Sequence, residues 1–107
     1  IFGDGAQTRD YVFVDDVVDA FVRASERGSG LLCNIGTGVE SSVLDLYTAM
    51  AANAGVDTPA QHAPARVGEL QRSCLDATRA KLHLGWEPFT DLSAGTAATL
   101  GWFRSRG

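Results

Sequence analysis

Apolar positions change period several times along this chain, and each change marks an element. Residues 9–14 (RDYVFV) are rich in aromatic and β-branched side chains and predict a short strand. Asp15 follows where a helix N-cap accepts from the free N–H groups of a first turn, and the helix is predicted to reach about Arg27. Val17, Ala20, Phe21 and Ala24 share one face of it, and Gly28 suits the left-handed position after its last turn. Leu31 to Ile35 (LLCNI) is a short apolar run that predicts a buried strand. After a Gly-Thr-Gly turn, Ser42 and Asp45 resemble a capping box, with Asp where Glu or Gln is usual. The helix beyond carries Val43, Leu46, Tyr47, Met50 and Ala54 on one stripe, and Gly55 ends it. Residues 57–74 have no helical period and hold Pro59 and Pro64, so they predict extended segments joined by a loop. Asp76 is expected to cap a short helix closed by Gly85. Thr90 is expected to cap a last helix reaching Arg104, with Leu92, Thr96, Thr99 and Phe103 inward. The alternation of strand and helix, ending in two helices, predicts an α/β fold.

Composition narrows the picture. A chain of 107 residues holds one domain at most and buries roughly 60–70% of its extended surface. With 45% hydrophobic residues a core is possible, and the composition argues against disorder. A formal charge of −4 argues against nucleic acid or an anionic membrane as partner, since both want a basic face. No apolar run approaches the ~20 residues that span a bilayer, and nothing reads as a signal peptide. Cys33 and Cys74 lie far apart without metal-type spacing, so both are expected as reduced, partly buried thiols of a cytoplasmic protein.

Two arginines carry the chemistry, each with two readings. Arg9 stands at a strand start just after the Gly3–Gly5 turn, where a guanidinium can fork onto two phosphate oxygens. Alternatively it is a surface arginine paired with Asp10, and residue type alone favours that reading. Arg66 lies in HAPARVGEL, where Gly68 frees the backbone and Glu69 follows three residues on. That loop suits a ligand bearing phosphate and hydroxyl groups; it also suits plain solvated charges. The GTGVES turn (36–41) mimics a dinucleotide fingerprint, with Asp57 about twenty residues on. Ser41, however, replaces the third glycine, which close helix–strand packing wants, so cofactor binding there is disfavoured. His62 and His83 lack partners at metal-ligand spacing. Asp15 and Asp16 are better explained by capping and the helix dipole than as an acid–base pair. Trp86 and Trp102 are expected in the core or an interface.

Three blocks, GDGAQTRDYVFVDDVVDA, CNIGTGVESSVLDL and APARVGELQRSCLDATRAKLHLGWEP, occur in an order that resembles extended short-chain dehydrogenase/reductases acting on nucleotide sugars, most closely the UDP-glucose 4-epimerase group. The resemblance covers most of the chain, and LSAGTAATLGWFR is similar to that family's last helix. It implies that residues 1–107 are the C-terminal, substrate-binding portion of an extended Rossmann-type enzyme, with a partial sheet and about four helices. LLCNI would then be a strand of the main parallel sheet. By the same resemblance Arg9 and Arg66 contact the substrate diphosphate from two sides, and Glu69 lies near the ribose. Gln7 and Val43 lie in segments that line the substrate. NAD is implied for the parent enzyme, bound by a cofactor domain that this chain does not contain. The chain has no GxxGxxG loop and no Tyr-x-x-x-Lys pair: Asp15 stands four residues after Tyr11, and Ala51 four after Tyr47. It is therefore expected to bind no cofactor and to be inactive alone, and to show unpaired strand edges and an exposed apolar patch or else to hide them by pairing with another copy. The implied partner is a nucleotide-diphosphate sugar such as UDP-glucose or UDP-galactose, and the implied parent is a homodimer. A nucleotide-sugar 4,6-dehydratase, another sugar-nucleotide epimerase and a non-catalytic diphosphate-binding module are the alternatives.

Overall fold

A computed structural model describes residues 1–106. Its elements are β1 (Thr8–Arg9), α1 (Val14–Ala24), β2 (Ser41–Ser42), α2 (Val43–Ala54), α3 (Thr78–Leu84) and α4 (Leu92–Ser105). Local chemistry accounts for most helix ends. Ser42 accepts from the Asp45 N–H at 2.9 Å while the Asp45 carboxylate accepts from the Ser42 N–H at 2.9 Å, a complete capping box on α2. Gly55 and Gly85 close α2 and α3 at φ of 68° and 64°, where a Cβ would be strained. Asp76 accepts from the Thr78 N–H at 2.9 Å just ahead of α3, whose N-cap position itself is Ala77.

Two predicted caps are displaced by their surroundings. Asp91, not Thr90, caps α4, accepting from the Ala94 N–H at 2.7 Å. Thr90 is held elsewhere, its N–H and hydroxyl both bonded to Asp16. At α1 the N-cap is Phe13 with no side-chain cap, Asp15 and Asp16 lie inside the first turn, and the helix stops at Ala24 rather than Arg27. Asp16 does not act as a cap. It is fully buried, and its carboxylate accepts from the Phe89 and Thr90 N–H groups, both at 3.2 Å, and from the Thr90 hydroxyl at 3.1 Å.

The predicted strands shrink because partners are few. β1 and β2 form a two-stranded antiparallel sheet with Thr8 opposite Ser42 and Arg9 opposite Ser41. RDYVFV thus contributes only its first residue to a ladder, and Val14 already belongs to α1. Leu31 to Ile35 forms no strand: Leu31 and Leu32 are exposed, while Cys33 and Ile35 turn inward. An apolar run alone does not make a strand where no neighbouring backbone supplies donors and acceptors.

Packing falls into two groups. In one, α1 meets α3 around Ala20, Ala80, Leu84 and Trp86, with Cys33, Ile35 and Ala77 against them. Trp86 is fully buried, and its indole N–H donates to the Asp16 carbonyl at 2.8 Å. A buried aromatic of this size hides roughly 150–250 Å², worth about 4–6 kcal/mol before entropy is charged against it. In the other group α2 packs on α4, leaving an apolar cavity of about 480 Å³ whose lining includes Leu92, Thr96, Thr99 and Phe103. Of the four positions expected inward, Leu92 and Thr96 are partly buried, while Thr99 and Phe103 line the cavity but stay exposed. Trp102 is half-exposed instead, edge-on to Phe103 and under the Arg106 guanidinium, so it belongs to no core. The rest of α1 is uncovered, with Val14, Val18 and Val22 exposed; Phe21, expected on the packed face, is exposed as well because it lies at the rim beyond Ala20. The outline is a slab of 46 × 36 × 19 Å with a radius of gyration of 16.0 Å, against about 13 Å for a sphere-like chain of this length. No helix among the described residues is long and apolar enough to cross a membrane.

Candidate functional site

β1 is short but held from both sides. On one side it pairs with β2. On the other, its Thr8 N–H donates to the Gln71 carbonyl at 2.8 Å and its Thr8 carbonyl accepts from the Ser73 N–H at 3.1 Å. Upstream, a parallel bridge joins Phe2 to Ala63. Residues 1–9 therefore run beside residues 61–73, which brings the loop of Arg66 and Glu69 against β1. Side chains alternate along an extended segment, so Gln7 and Arg9 share a face and Thr8 takes the other.

Gln7 is nearly buried, and its amide donates to the Phe2 carbonyl at 3.1 Å and reaches Glu69 Oε1 at 3.5 Å. Arg9 donates through Nη1 to the Thr8 carbonyl at 2.6 Å, and its Nη2 lies 3.5 Å from the same Glu69 oxygen. Contacts this long steady the guanidinium without locking it into a tight fork with Glu69. The Arg66 guanidinium carbon sits 4.0 Å above the Phe2 ring, a cation–π contact on the residue whose carbonyl holds Gln7. Val43, the first residue of α2, donates its N–H to the Gln7 carbonyl at 3.1 Å. All five candidate residues thus belong to one connected cluster. What it offers a ligand is two guanidinium groups, a buried amide and an acidic oxygen.

Pairing of Arg9 with Asp10 does not occur, because Asp10 is engaged in the GTG turn. Its carboxylate accepts from the Thr37 N–H at 2.9 Å, the Thr37 hydroxyl at 2.6 Å, the Gly38 N–H at 3.0 Å and the Leu75 N–H at 3.3 Å. Partial burial works to raise the Asp10 pKa, yet these bonds together hold it below the usual carboxylate range. Gly36 is needed at the approach: a Cβ there would lie 2.7 Å from Asp10 Oδ2 and from Leu75 Cβ. The turn that imitates a dinucleotide loop therefore spends its N–H donors on Asp10, and it does not fit a cofactor pyrophosphate. Nothing in the sequence pointed to Asp10, since its partners lie 27 and 65 residues away.

On the opposite face of β1, Glu40 accepts from the Thr8 hydroxyl at 2.8 Å and, through both oxygens, from Arg72 Nε at 2.9 Å and Nη2 at 2.7 Å. Arg72, then Thr8, depress the Glu40 pKa to about 2. Desolvation pushes the Tyr11 hydroxyl up, with Arg9 opposing. Cys33 and Cys74 are free thiols, Cys33 partly buried as expected but Cys74 exposed on the extended segment before α3; desolvation and the Asp10 and Glu40 charges push Cys74 up, away from reactivity. His62 Nδ1 lies 2.6 Å from the Gly3 carbonyl, and no group of three metal-ligating side chains occurs among the described residues.

Residues 1–99 match the GDP-mannose 4,6 dehydratase family. The chain is 53% identical over 107 residues to a UDP-glucose 4-epimerase of Mycolicibacterium smegmatis, covering 99% of this chain and 34% of that protein. It superposes on a UDP-glucose 4-epimerase of Thermotoga maritima solved with UDP-glucose, at a TM-score of 0.95 and 43% identity, over 99% of this chain and 34% of the other. A Bifidobacterium longum UDP-glucose 4-epimerase in complex with NAD⁺ and UDP gives a TM-score of 0.88 at 30% identity, over 95% of this chain and 31% of that one. The chain spans about a third of the length of these relatives. A sequence matched over nearly its whole length, folded as those Rossmann-type epimerases fold in the same region, belongs to the GDP-mannose 4,6 dehydratase family.

Proposed function

We propose that residues 1–107 are the C-terminal substrate-anchoring portion of an NAD-dependent nucleotide-sugar epimerase, similar to UDP-glucose 4-epimerase. The observation that carries this reading is the joined cluster of Gln7, Arg9 and Glu69 beside Phe2 and Arg66. A nucleotide diphosphate is a dianion with a ribose attached. Two guanidinium forks suit its phosphates, and an acidic oxygen beside a buried amide suits hydroxyl groups. Val43 contributes through its backbone, fixing the Gln7 carbonyl.

NAD supplies hydride chemistry in such an enzyme, and the residues that hold it lie outside this chain. The part played here is to keep the nucleotide fixed while the hexose, glucose or galactose, is free to turn. Alone, the chain binds without turning substrate over. Free Cys33 and Cys74 suit a reducing cytoplasm, and the resemblance to UDP-glucose 4-epimerase suggests a homodimer acting in galactose metabolism. A nucleotide-sugar 4,6-dehydratase is the second reading, favoured by the family to which residues 1–99 match; it would use the same anchor.

Calorimetry with UDP on the full-length enzyme tests the anchor. Arg9→Ala and Arg66→Ala are each expected to weaken binding by about 1.5–3 kcal/mol, the scale of charged hydrogen bonds. Wild-type affinity in both variants would make them ordinary surface arginines. Product analysis with UDP-galactose then separates epimerase from dehydratase.

A further inference from the structure

The Thr8 side chain and Glu40 stand on the face of β1 turned away from the candidate site, and the Thr8 backbone carbonyl, which accepts from Arg9 Nη1, is their one direct link to it. Their geometry nevertheless bears on that site. Three backbone segments lie side by side: β2, β1 and residues 71–73. Glu40 immediately precedes β2, Thr8 lies in β1, and Arg72 is the middle residue of the third segment. One carboxylate therefore ties all three together, through the Thr8 hydroxyl and a two-pronged bond from Arg72. Arg9 is the next residue after Thr8, and Glu69 lies three residues before Arg72. The distance between Arg9 and Glu69 depends on how β1 and residues 69–73 are held together: by two backbone bonds at Thr8, by the long Gln7–Glu69 contact, and by this tie on the reverse face.

Resting on the anchoring role assigned to Arg9 above, we propose that Glu40, through Thr8 and Arg72, is a positioning residue for the diphosphate site. The bond is a two-oxygen, two-nitrogen pair, which fixes direction as well as distance. The Arg9–Glu69 contact, at 3.5 Å, is too long to set that spacing itself. Without the tie, the two backbone bonds at Thr8 and the long Gln7–Glu69 contact remain, but no side-chain pair fixes the direction of the segment that carries Glu69, and its distance from Arg9 loosens. A misplacement of about 1 Å is enough to weaken a two-sided phosphate clamp.

The test uses the full-length enzyme, with UDP as probe. Glu40→Ala and Arg72→Met should each raise the UDP dissociation constant about fivefold, a scale set by well-formed pairs near the surface. The Michaelis constant for UDP-glucose should rise with it, while kcat and NAD affinity hold. Combining the two substitutions should cost no more than either alone. The reversed pair Glu40→Arg with Arg72→Glu should recover part of the loss, a rescue that generic damage to the fold would not give. Glu40→Gln, which keeps the shape and the Thr8 bond, guards against misfolding and should fall between wild type and Glu40→Ala. Arg9→Ala serves as the reference. If it weakens UDP but the Glu40 and Arg72 variants do not, or if their effects simply add, the positioning role is wrong and the anchor stands. If Arg9→Ala itself leaves UDP affinity unchanged, the anchor fails and the positioning role falls with it.

Discussion

Replacing Asp16 by alanine is expected to cost about 3 kcal/mol of folding stability. Its carboxylate is fully buried and accepts three hydrogen bonds, from the Phe89 N–H, the Thr90 N–H and the Thr90 hydroxyl. A hydrogen bond to a charged group contributes roughly 1.5–3 kcal/mol, and each buried donor left without a partner costs about 1–3. The bonds here are 3.1–3.2 Å long, which favours the lower values. The Thr90 hydroxyl can rotate to another acceptor; the two backbone N–H groups cannot. Two stranded donors at the lower end, with the lost attraction, give about 3 kcal/mol, more than a hundredfold in the folding equilibrium. Urea denaturation followed by far-ultraviolet circular dichroism reads this directly. Asp15→Ala is the internal control, because Asp15 is exposed in the same first turn and offers only the helix-dipole term of about 0.3–1 kcal/mol. Equal losses in the two variants would mean that helix electrostatics, not a buried cross-link, explains Asp16, and the reasoning would fail.

Two glycines should respond oppositely to alanine in the same denaturation assay. Gly36→Ala drives a Cβ to 2.7 Å from Asp10 Oδ2 and Leu75 Cβ, so a loss of about 1–3 kcal/mol is expected. Gly101→Ala, in α4 with nothing within 4 Å of its Cβ, should gain about 0.5–1 kcal/mol from helix propensity. Acid titration should reveal Glu40: its pKa falls from 4.5 to about 2 on folding, so its stabilisation is present above pH 4.5 and disappears as pH drops through about 2. Glu40→Gln should flatten the acid-unfolding curve in that window, and an unchanged slope would show that the pair with Arg72 contributes nothing.

Local chemistry was readable in the sequence wherever cause and effect lie within one turn. Ser42 with Asp45, and Gly55 and Gly85 at helix ends, behave as their residue types dictate. Errors arise where a distant partner decides. Thr90 looked like a cap until Asp16, 74 residues earlier, claimed its N–H and hydroxyl. RDYVFV and LLCNI have the composition of strands, but composition says nothing of whether a neighbouring backbone is there to pair with. Arg9 and Glu69, 60 residues apart, came together only through resemblance to nucleotide-sugar enzymes; their local sequence favoured a surface Arg9–Asp10 pair and solvated loop charges. The tie between Glu40, Thr8 and Arg72 left no sequence signal, because each is an ordinary polar residue until all three meet.

The bond from the Trp86 indole to the Asp16 carbonyl spans 70 residues. Neither partner gains anything from its place until the other arrives, so the largest buried side chain rewards folding only after most of the chain has been gathered. Closing a loop of that length costs entropy that nearby contacts cannot recover in advance. Formation of the α1–α3 core should therefore be a late and slow event, outpaced by the self-capped α2. During synthesis, α1 would emerge with its side around Ala20 uncovered until Trp86 had left the ribosome. Over that interval the uncovered apolar surface of α1 is exposed to non-native contacts.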